Sequence, residues 1–312
     1  MDLLTGLLDG PRARGAFLLR SLLEPPFALR ICDRAPLTVV AVFQGSAWVA
    51  PDDGTAELLH PGDVAVLRGP DAYTVADDPN TPPQAVIHPG QRCTTLRGEP
   101  LALDPSLGVR TWGTGSPGGT VLLTGTYQLP GEVDRRLLGA LPPLLAVRAD
   151  EWHSPLVGLL ADEMARDRPG QAAVLDRLLD LLLIAVLRSW FDRPGAAPSW
   201  YAAAGDPVVG PALRLLQGDP ARSWTVASLA AEVGVSRAAL ARRFTELVGE
   251  PPMAFLTGWR LSIAADLLRE PDVTLGAVAR RVGYGSPFAL STAFRRVRGV
   301  SPREHRARVL VG

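Results

Sequence analysis

Two stretches in the C-terminal third of this chain follow one pattern about 49 residues apart. The first, Thr225-VASLAAEVGVSRAALARRF, ends at Phe244, and the second, Leu275-GAVARRVGYGSPFALSTAF, ends at Phe294. In the first, Leu229 and Val233 face a core and Ala230 is small where two helices must cross. Gly234 permits a tight turn, after which Ser236 caps a second helix that buries Leu240 and Phe244. In the second, Val278, Ala279, Val282, Gly283, Ser286, Leu290 and Phe294 take the same places. Pro287 stands at the first helical position, where its missing N–H costs nothing. Between the copies, Leu256, Trp259, Ile263 and Leu267 recur at i, i+3, i+7 and i+11, which predicts one long connecting helix. The pattern therefore specifies two helix-turn-helix units held at a fixed spacing by a rigid connector.

Charge agrees with the pattern once the chain is divided. Over all 312 residues, 32 basic side chains balance 32 acidic ones, a total that argues against a polyanionic partner. From residue 220 onward there are 14 arginines against 7 carboxylates, so that part carries +7 and residues 1–219 carry −7. An acidic body joined to a basic tail marks an anion-binding module. Two helix-turn-helix copies in that basic part point to double-stranded DNA, with both second helices able to enter successive major grooves. Every basic residue is arginine and none is lysine. Codon bias explains that as well as arginine's planar fork does.

The hydrophobic share of 47% and charged share of 21% belong to a chain able to bury a core. Up to about residue 130, short β-prone runs alternate with Gly/Pro turns. They are Phe27–Cys32, Leu37–Phe43, Ala47–Ala50, Ala56–Leu59, Val64–Leu67, Ala85–His88, Val109–Trp112 and Thr120–Tyr127, and they predict an antiparallel sandwich or small barrel. Leucines at 137, 138, 141, 144 and 145 read as helical, split by Pro142-Pro143. Leu156–Met164, Ala172–Trp190 and Val208–Leu216 read as further helices. The tract 193–205, rich in Pro, Gly and Ala, reads as a linker between a domain at 1–192 and one at 206–312. The fold class expected is α+β with two domains: a β-barrel with trailing helices, then an all-α domain. Leu178–Leu187 is too short to span a bilayer and reads as a buried or dimer-forming helix. Met1–Gly10 lacks a basic start before an apolar run, so no leader is expected, and two cysteines are too few for a disulfide framework.

The tail Ala293-FRRVRGVSPREHR, the VGYGS turn and the connecting WRLSIAADLL resemble the signature of AraC/XylS-type transcription regulators over about residues 206–308. This chain departs from the family in having Arg298 where an aromatic is usual and His305 where a tyrosine is usual. Ser301-Pro302-Arg303-Glu304 still supplies a capping box. His60-Pro-Gly-Asp-Val-Ala-Val-Leu, Ala76-Asp-Asp-Pro and Leu138-GALPPLL are similar to the cupin-like effector domain attached to many such regulators. The resemblance implies that the first recognition helix offers Ser236, Arg237, Ala238, Ala241 and Arg242 to DNA, and the second Ser286, Phe288, Ser291, Thr292 and Arg295. Arginine binds guanine bidentately, Ser or Thr bonds either base edge, and an apolar side chain meets a thymine methyl. Arg243, Arg296 and Arg298 are assigned to phosphates, which position without specifying. The implied partners are double-stranded DNA, a small-molecule effector, a second copy of the chain and RNA polymerase. The implied location is the cytoplasm, at the nucleoid, with no membrane partner.

Enzyme chemistry finds no support in the motifs. There is no nucleophile elbow, no phosphate loop and no paired catalytic carboxylates, and Gly113-Thr-Gly-Ser-Pro-Gly-Gly lacks lysine and reads as a hairpin loop. Only His60, His88, His153 and His305 occur, without the His-x-His pair that cupin enzymes use for a metal, and Tyr73 stands near where their later histidine falls. No cofactor is expected. Cys32, His88 and Cys93 leave open a soft metal or redox site, against the plain alternative of two buried small residues and a strand-end histidine. Phe27, Phe43, Trp48, Tyr73 and Trp112 are candidate walls of an effector pocket, against the alternative of ordinary core. The competing functions are a cupin-type enzyme fused to a DNA-binding tail and a regulator whose barrel serves only assembly.

Overall fold

The structure is a computed structural model that describes residues 17–101, 107, 110–113, 119–127, 137–270 and 272–310. The readings of Met1–Gly10 and of the loop at 114–118 lie outside these residues. The described residues form two compact units, one over 17–127 and 138–196, the other from 197 onward.

The first unit is built on two facing six-stranded sheets. One has the order β10 (Thr111–Gly113), β1 (Phe17–Leu23), β11 (Thr120–Tyr127), β3 (Leu37–Gln44), β6 (Val64–Arg68), β12 (Leu144–Val147). The other runs β5 (Glu57–Leu59), β4 (Ala47–Pro51), β7 (Tyr73–Ala76), β2 (Ala28–Ile31), β8 (Ala85–His88), β9 (Arg92–Thr95). The antiparallel expectation holds for most pairings, but β1–β10 and β2–β8 are parallel. The core lies between the sheets, where Leu29, Ile31, Val40, Val42, Val49, Val75 and Leu122 are buried. Strand β3 is buried on both faces from Leu37 to Val42, so it reads as a continuous apolar run, not an alternation. Helix α1 (Ala149–Trp152), α2 (Leu156–Met164) and α3 (Gln171–Phe191) follow, with α2 against β3 and β11 and α3 against α2 and β12. Leu144 and Leu145, expected in a helix, belong to β12. The helical turn at 137–140 ends before Pro142-Pro143, because a residue preceding proline is pushed out of the helical region.

The second unit is helical throughout: α4 (Ser199–Ala204), α5 (Val209–Gly218), α6 (Val226–Glu232), α7 (Arg237–Val248), α8 (Pro252–Leu267), α9 (Leu275–Arg281), α10 (Pro287–Arg298) and α11 (Pro302–Leu310). Where the sequence suggests a linker, α4 forms instead and buries Ala203 in the core of the first helix-turn-helix unit. The connector α8 is buried on more than one stripe. Its first half gives Phe255, Leu256 and Trp259 to one core, and its second half gives Leu261, Ala264, Ala265 and Leu267 to another. One helix shared by two cores removes the freedom a flexible joint would leave. Among the described residues no helix is long and apolar enough to cross a membrane.

Candidate nucleic-acid interface

Local chemistry sets each half of the interface. Thr225 starts α6 with a reciprocal cap: its hydroxyl accepts from the Ser228 N–H at 3.0 Å, and the Ser228 hydroxyl accepts from the Thr225 N–H at 3.0 Å. Gly234 turns the chain at φ +72°, and the Ser236 hydroxyl accepts from the Ala239 N–H at 3.2 Å to start α7. Leu240 and Phe244 are buried, and Phe244 meets Phe255 of the connector edge-on at 5.8 Å. The second half repeats this. The Thr274 hydroxyl accepts from the Ala277 N–H at 3.2 Å, Gly283 turns at φ +79°, and the Ser286 hydroxyl accepts from the Ala289 N–H at 3.1 Å. Pro287 occupies the first turn of α10, and Leu290 and Phe294 are buried.

With the apolar sides buried, α7 presents Arg237, Ala238, Arg242 and Arg243 outward, with Ala241 half-buried. Arg242 stands 3.8 Å from Glu246 one turn on. Arg243 is forked onto Asp206, at 2.6 Å for the shortest contact, and so is held to the protein. Helix α10 presents Phe288, Thr292, Arg295 and Arg296, with Ser286 and Ser291 half-buried. Phe288 is 80% exposed, although an aromatic ring of that size is normally a core residue. Arg298 does not join the phosphate-facing set. Its guanidinium donates to the Leu261 carbonyl at 2.8 Å and lies 4.7 Å from the Phe294 ring centre, while His305 meets the same ring edge-on at 5.5 Å. The two departures from the family pattern thus pack on one phenylalanine. Ser301 and Glu304 cap α11 reciprocally, at 2.6 and 3.2 Å.

Two residues that the sequence did not single out fix this arrangement. Arg260, in the middle of α8, donates to the carbonyls of Pro220 at 2.6 Å and Arg222 at 2.8 Å, and lies 5.9 Å from the Tyr284 ring centre. Pro220 and Arg222 lie just before the first helix-turn-helix unit, whereas Tyr284 is in the turn of the second. Burial lowers the Arg260 guanidinium from its ordinary range. Its one signal in the sequence is a lone arginine inside an otherwise apolar helix. Asp206 caps the start of α5, accepting from the N–H groups of Val208 and Val209 at 2.9 Å, besides holding Arg243. Its position beside a Pro/Gly/Ala tract that reads as linker gives no hint of either role.

In the first unit a cavity of about 50 Å³ lies between the sheets, lined by Leu29, Val40, Val75, Leu122, Tyr73 and Trp112, with Asp33, Gln91 and Cys93 also on its wall. Of the five aromatic residues picked out as pocket walls, Tyr73 and Trp112 line it. Phe27 belongs to the surrounding core, Phe43 is 38% exposed, and Trp48 is half-buried away from the cavity. Burial, with the Asp33 carboxylate adding, keeps the Tyr73 phenol well above its usual range. Burial also raises the Cys93 thiol, which lowers its reactivity. Cys32, His88 and Cys93 do not form a metal centre, because among the described residues no three His, Cys, Asp or Glu side chains converge. The His88 ring instead hydrogen-bonds the Thr94 hydroxyl at 2.9 Å. His60-Pro-Gly-Asp63 proves structural, with the buried Asp63 carboxylate accepting from the N–H groups of His60 at 2.9 Å and Ala149 at 2.8 Å.

Two capped, basic helix-turn-helix units on one shared helix, joined to a double-sheet domain, define a DNA-binding transcription regulator. Residues 2–192 match the family model described as Cupin, and residues 229–308 the one described as Helix-turn-helix domain. A putative AraC-like transcription regulator of Streptomyces lividans is 38% identical over 253 residues, covering 80% of this chain and 79% of that protein. The HTH-type transcriptional regulator AlkR of Acinetobacter baylyi is 26% identical over 312 residues, covering 98% of this chain and 99% of the relative. Among solved structures, the DNA-binding domain of AdpA, a global transcriptional factor in complex with a target DNA, is 34% identical over 34% of this chain and 96% of that one, with a TM-score of 0.33. The chain belongs to the AraC-like transcription regulators and carries a cupin N-terminal domain.

Proposed function

We propose that this regulator recognises a specific promoter sequence through α7 and α10 and is controlled by a small molecule bound between the two sheets of its N-terminal domain. The observation that carries the DNA part is the paired geometry itself. Two recognition helices, each started by a serine cap and each exposing arginine, hang from one rigid connector. The contacts to bases are assigned to Arg237, Ala238, Ala241 and Arg242 on α7 and to Phe288, Ser291, Thr292 and Arg295 on α10, with Ser236 and Ser286 at the caps and Arg296 on phosphate. A cytoplasmic, nucleoid-bound protein follows from that ligand. Selection from a randomised duplex library tests it: the expected product is two conserved blocks about one helical turn apart. A single block, or none, contradicts it.

The effector part rests on the cavity. Its volume of about 50 Å³ is well below that of an ordinary small-molecule pocket, so an effector entering it is expected to part the sheets. Parting them changes the surface the domain offers, and a ligand shifts a two-state equilibrium only by such differential affinity. Thermal-shift screening of the full chain against metabolites tests this, because a binder raises the melting temperature by mass action. A hit abolished by Trp112→Ala supports the assignment; a hit indifferent to substitution at Trp112 and Tyr73 places the ligand elsewhere. Helix α3 is assigned to self-association. Val174, Leu178, Leu181 and Ala185 repeat at i, i+4, i+7 and i+11 along it, and Val174 and Leu181 are exposed. Leu181→Glu is expected to yield monomers in light scattering.

A further inference from the structure

The two helix-turn-helix units share a framework but not a charge. Residues 225–249 hold Arg237, Arg242 and Arg243 against Glu232 and Glu246, a net +1. Residues 274–299 hold Arg280, Arg281, Arg295, Arg296 and Arg298 with no carboxylate, a net +5. The ion pairs leave that net charge unchanged but differ in how many arginines they engage. Around the first unit Arg222 pairs with Glu232 at 2.6 Å, Arg242 stands 3.8 Å from Glu246, and Arg243 pairs with Asp206 at 2.6 Å. In the second, Arg298 folds inward, but Arg280, Arg281, Arg295 and Arg296 are exposed and have no ion pair among the described residues.

Aligning the two caps sets Ser236 against Ser286, Arg237 against Pro287, Ala238 against Phe288 and Arg242 against Thr292. The first two turns of α7 therefore offer two guanidinium forks, where those of α10 offer a hydroxyl and a ring that is 80% exposed. A fork reads guanine, and a ring or methyl group meets the thymine methyl. Phosphate attraction follows net local charge and falls with salt, whereas base reading depends on fork geometry. An arginine beside an acid one turn away loses pull on phosphate while its fork stays free to meet a base edge. The pair is highly exposed, so swapping it for a base edge costs little.

We infer that the two units divide the work on DNA. The 274–299 unit supplies the salt-dependent hold on the phosphate backbone and reads thymine through Phe288, and the 225–249 unit selects guanine through Arg237 and Arg242. This rests on the DNA-binding reading above. The test is a salt titration of the full chain by fluorescence anisotropy, on a labelled random-sequence duplex and on the duplex selected from a randomised library. Removing one phosphate-neutralising arginine lowers the slope of log Kd against log salt by about 0.9, so Arg280→Gln with Arg281→Gln is expected to lower it by about 1.8 on both duplexes. Arg296→Gln alone, the phosphate contact assigned on α10, is expected to lower the slope by about 0.9 on both duplexes. Arg242→Gln is expected to cut the ratio of selected to random affinity about tenfold or more with little change in slope, and Phe288→Ala to erase a thymine from the selected sequence. Glu246→Gln, by freeing Arg242, is expected to tighten binding to random sequence. Equal falls in slope from both units, or no fall from either Arg280→Gln with Arg281→Gln or Arg296→Gln, overturn the division while DNA binding stands. Failure of the unsubstituted chain to bind any duplex removes the DNA-binding reading and the division with it.

Discussion

Asp206 shows how one carboxylate serves two elements. The hydrogen bonds from Arg243 first, and then those from the N–H groups of Val209 and Val208, together hold its pKa down to about 2. A carboxylate depressed on folding stabilises the protein above its unfolded pKa, near 3.9, and that stabilisation fades as pH falls towards about 2. The stability difference between the natural chain and Asp206→Asn is therefore expected to be constant above pH ~5 and to shrink between pH ~4 and ~2. A difference independent of pH contradicts the assignment. Arg242, exposed and only loosely steadied by Glu246, is the residue for base reading. Arg242→Ala is expected to cost about 1–3 kcal/mol on the selected duplex and little on one with that base pair changed. An equal loss on both makes it a phosphate contact.

The two turns of the repeat look alike in sequence but sit in different surroundings. A Cβ on Gly234 would meet nothing within 4 Å, so Gly234→Ala is charged only with the positive φ, roughly 1–2 kcal/mol. A Cβ on Gly283 would stand 2.6 Å from the Ala221 carbonyl oxygen, and backbone yields less easily than a side chain. Gly283→Ala is expected to cost about 1–3 kcal/mol more, read as a larger fall in denaturation midpoint. Equal falls would show that the 219–222 loop gives way. Much at this level is legible in the sequence. Helix α2 and strand β11 have the ends that residue patterning gives them, and the caps at Ser236 and Ser286 follow from residue type alone. What escapes is what tertiary pairing decides. Strands β1, β7 and β12 carry no clean alternation, because each owes its conformation to a partner strand distant in sequence, as Leu144–Val147 does to Val64–Leu67. Burial also hides the role of Arg260, which only the folded loop around Pro220 discloses.

At the scale of the molecule, the overall balance of charges conceals an acidic portion of −7 and a basic one of +7. Within the basic part, Arg260 ties the two helix-turn-helix units together, donating to the carbonyls of Pro220 and Arg222 before one and lying 5.9 Å from the Tyr284 ring centre in the turn of the other. Arg260→Met leaves the carbonyls of Pro220 and Arg222 without that donor. It is expected to lower the melting temperature and to blur the spacing between the two protected patches on DNA. A sharp, normally spaced pair of patches with Arg260→Met would show that the shared core of α8 suffices. Paired recognition by α7 and α10 is tested most directly by a hydroxyl-radical footprint of the full chain on its selected duplex. Two protected patches on one face, about 10 base pairs apart, are expected, both disappearing when α7 and α10 are substituted at Arg242 and Thr292. Protection confined to one patch, or persisting in a fragment that lacks residues 206–312, would contradict it.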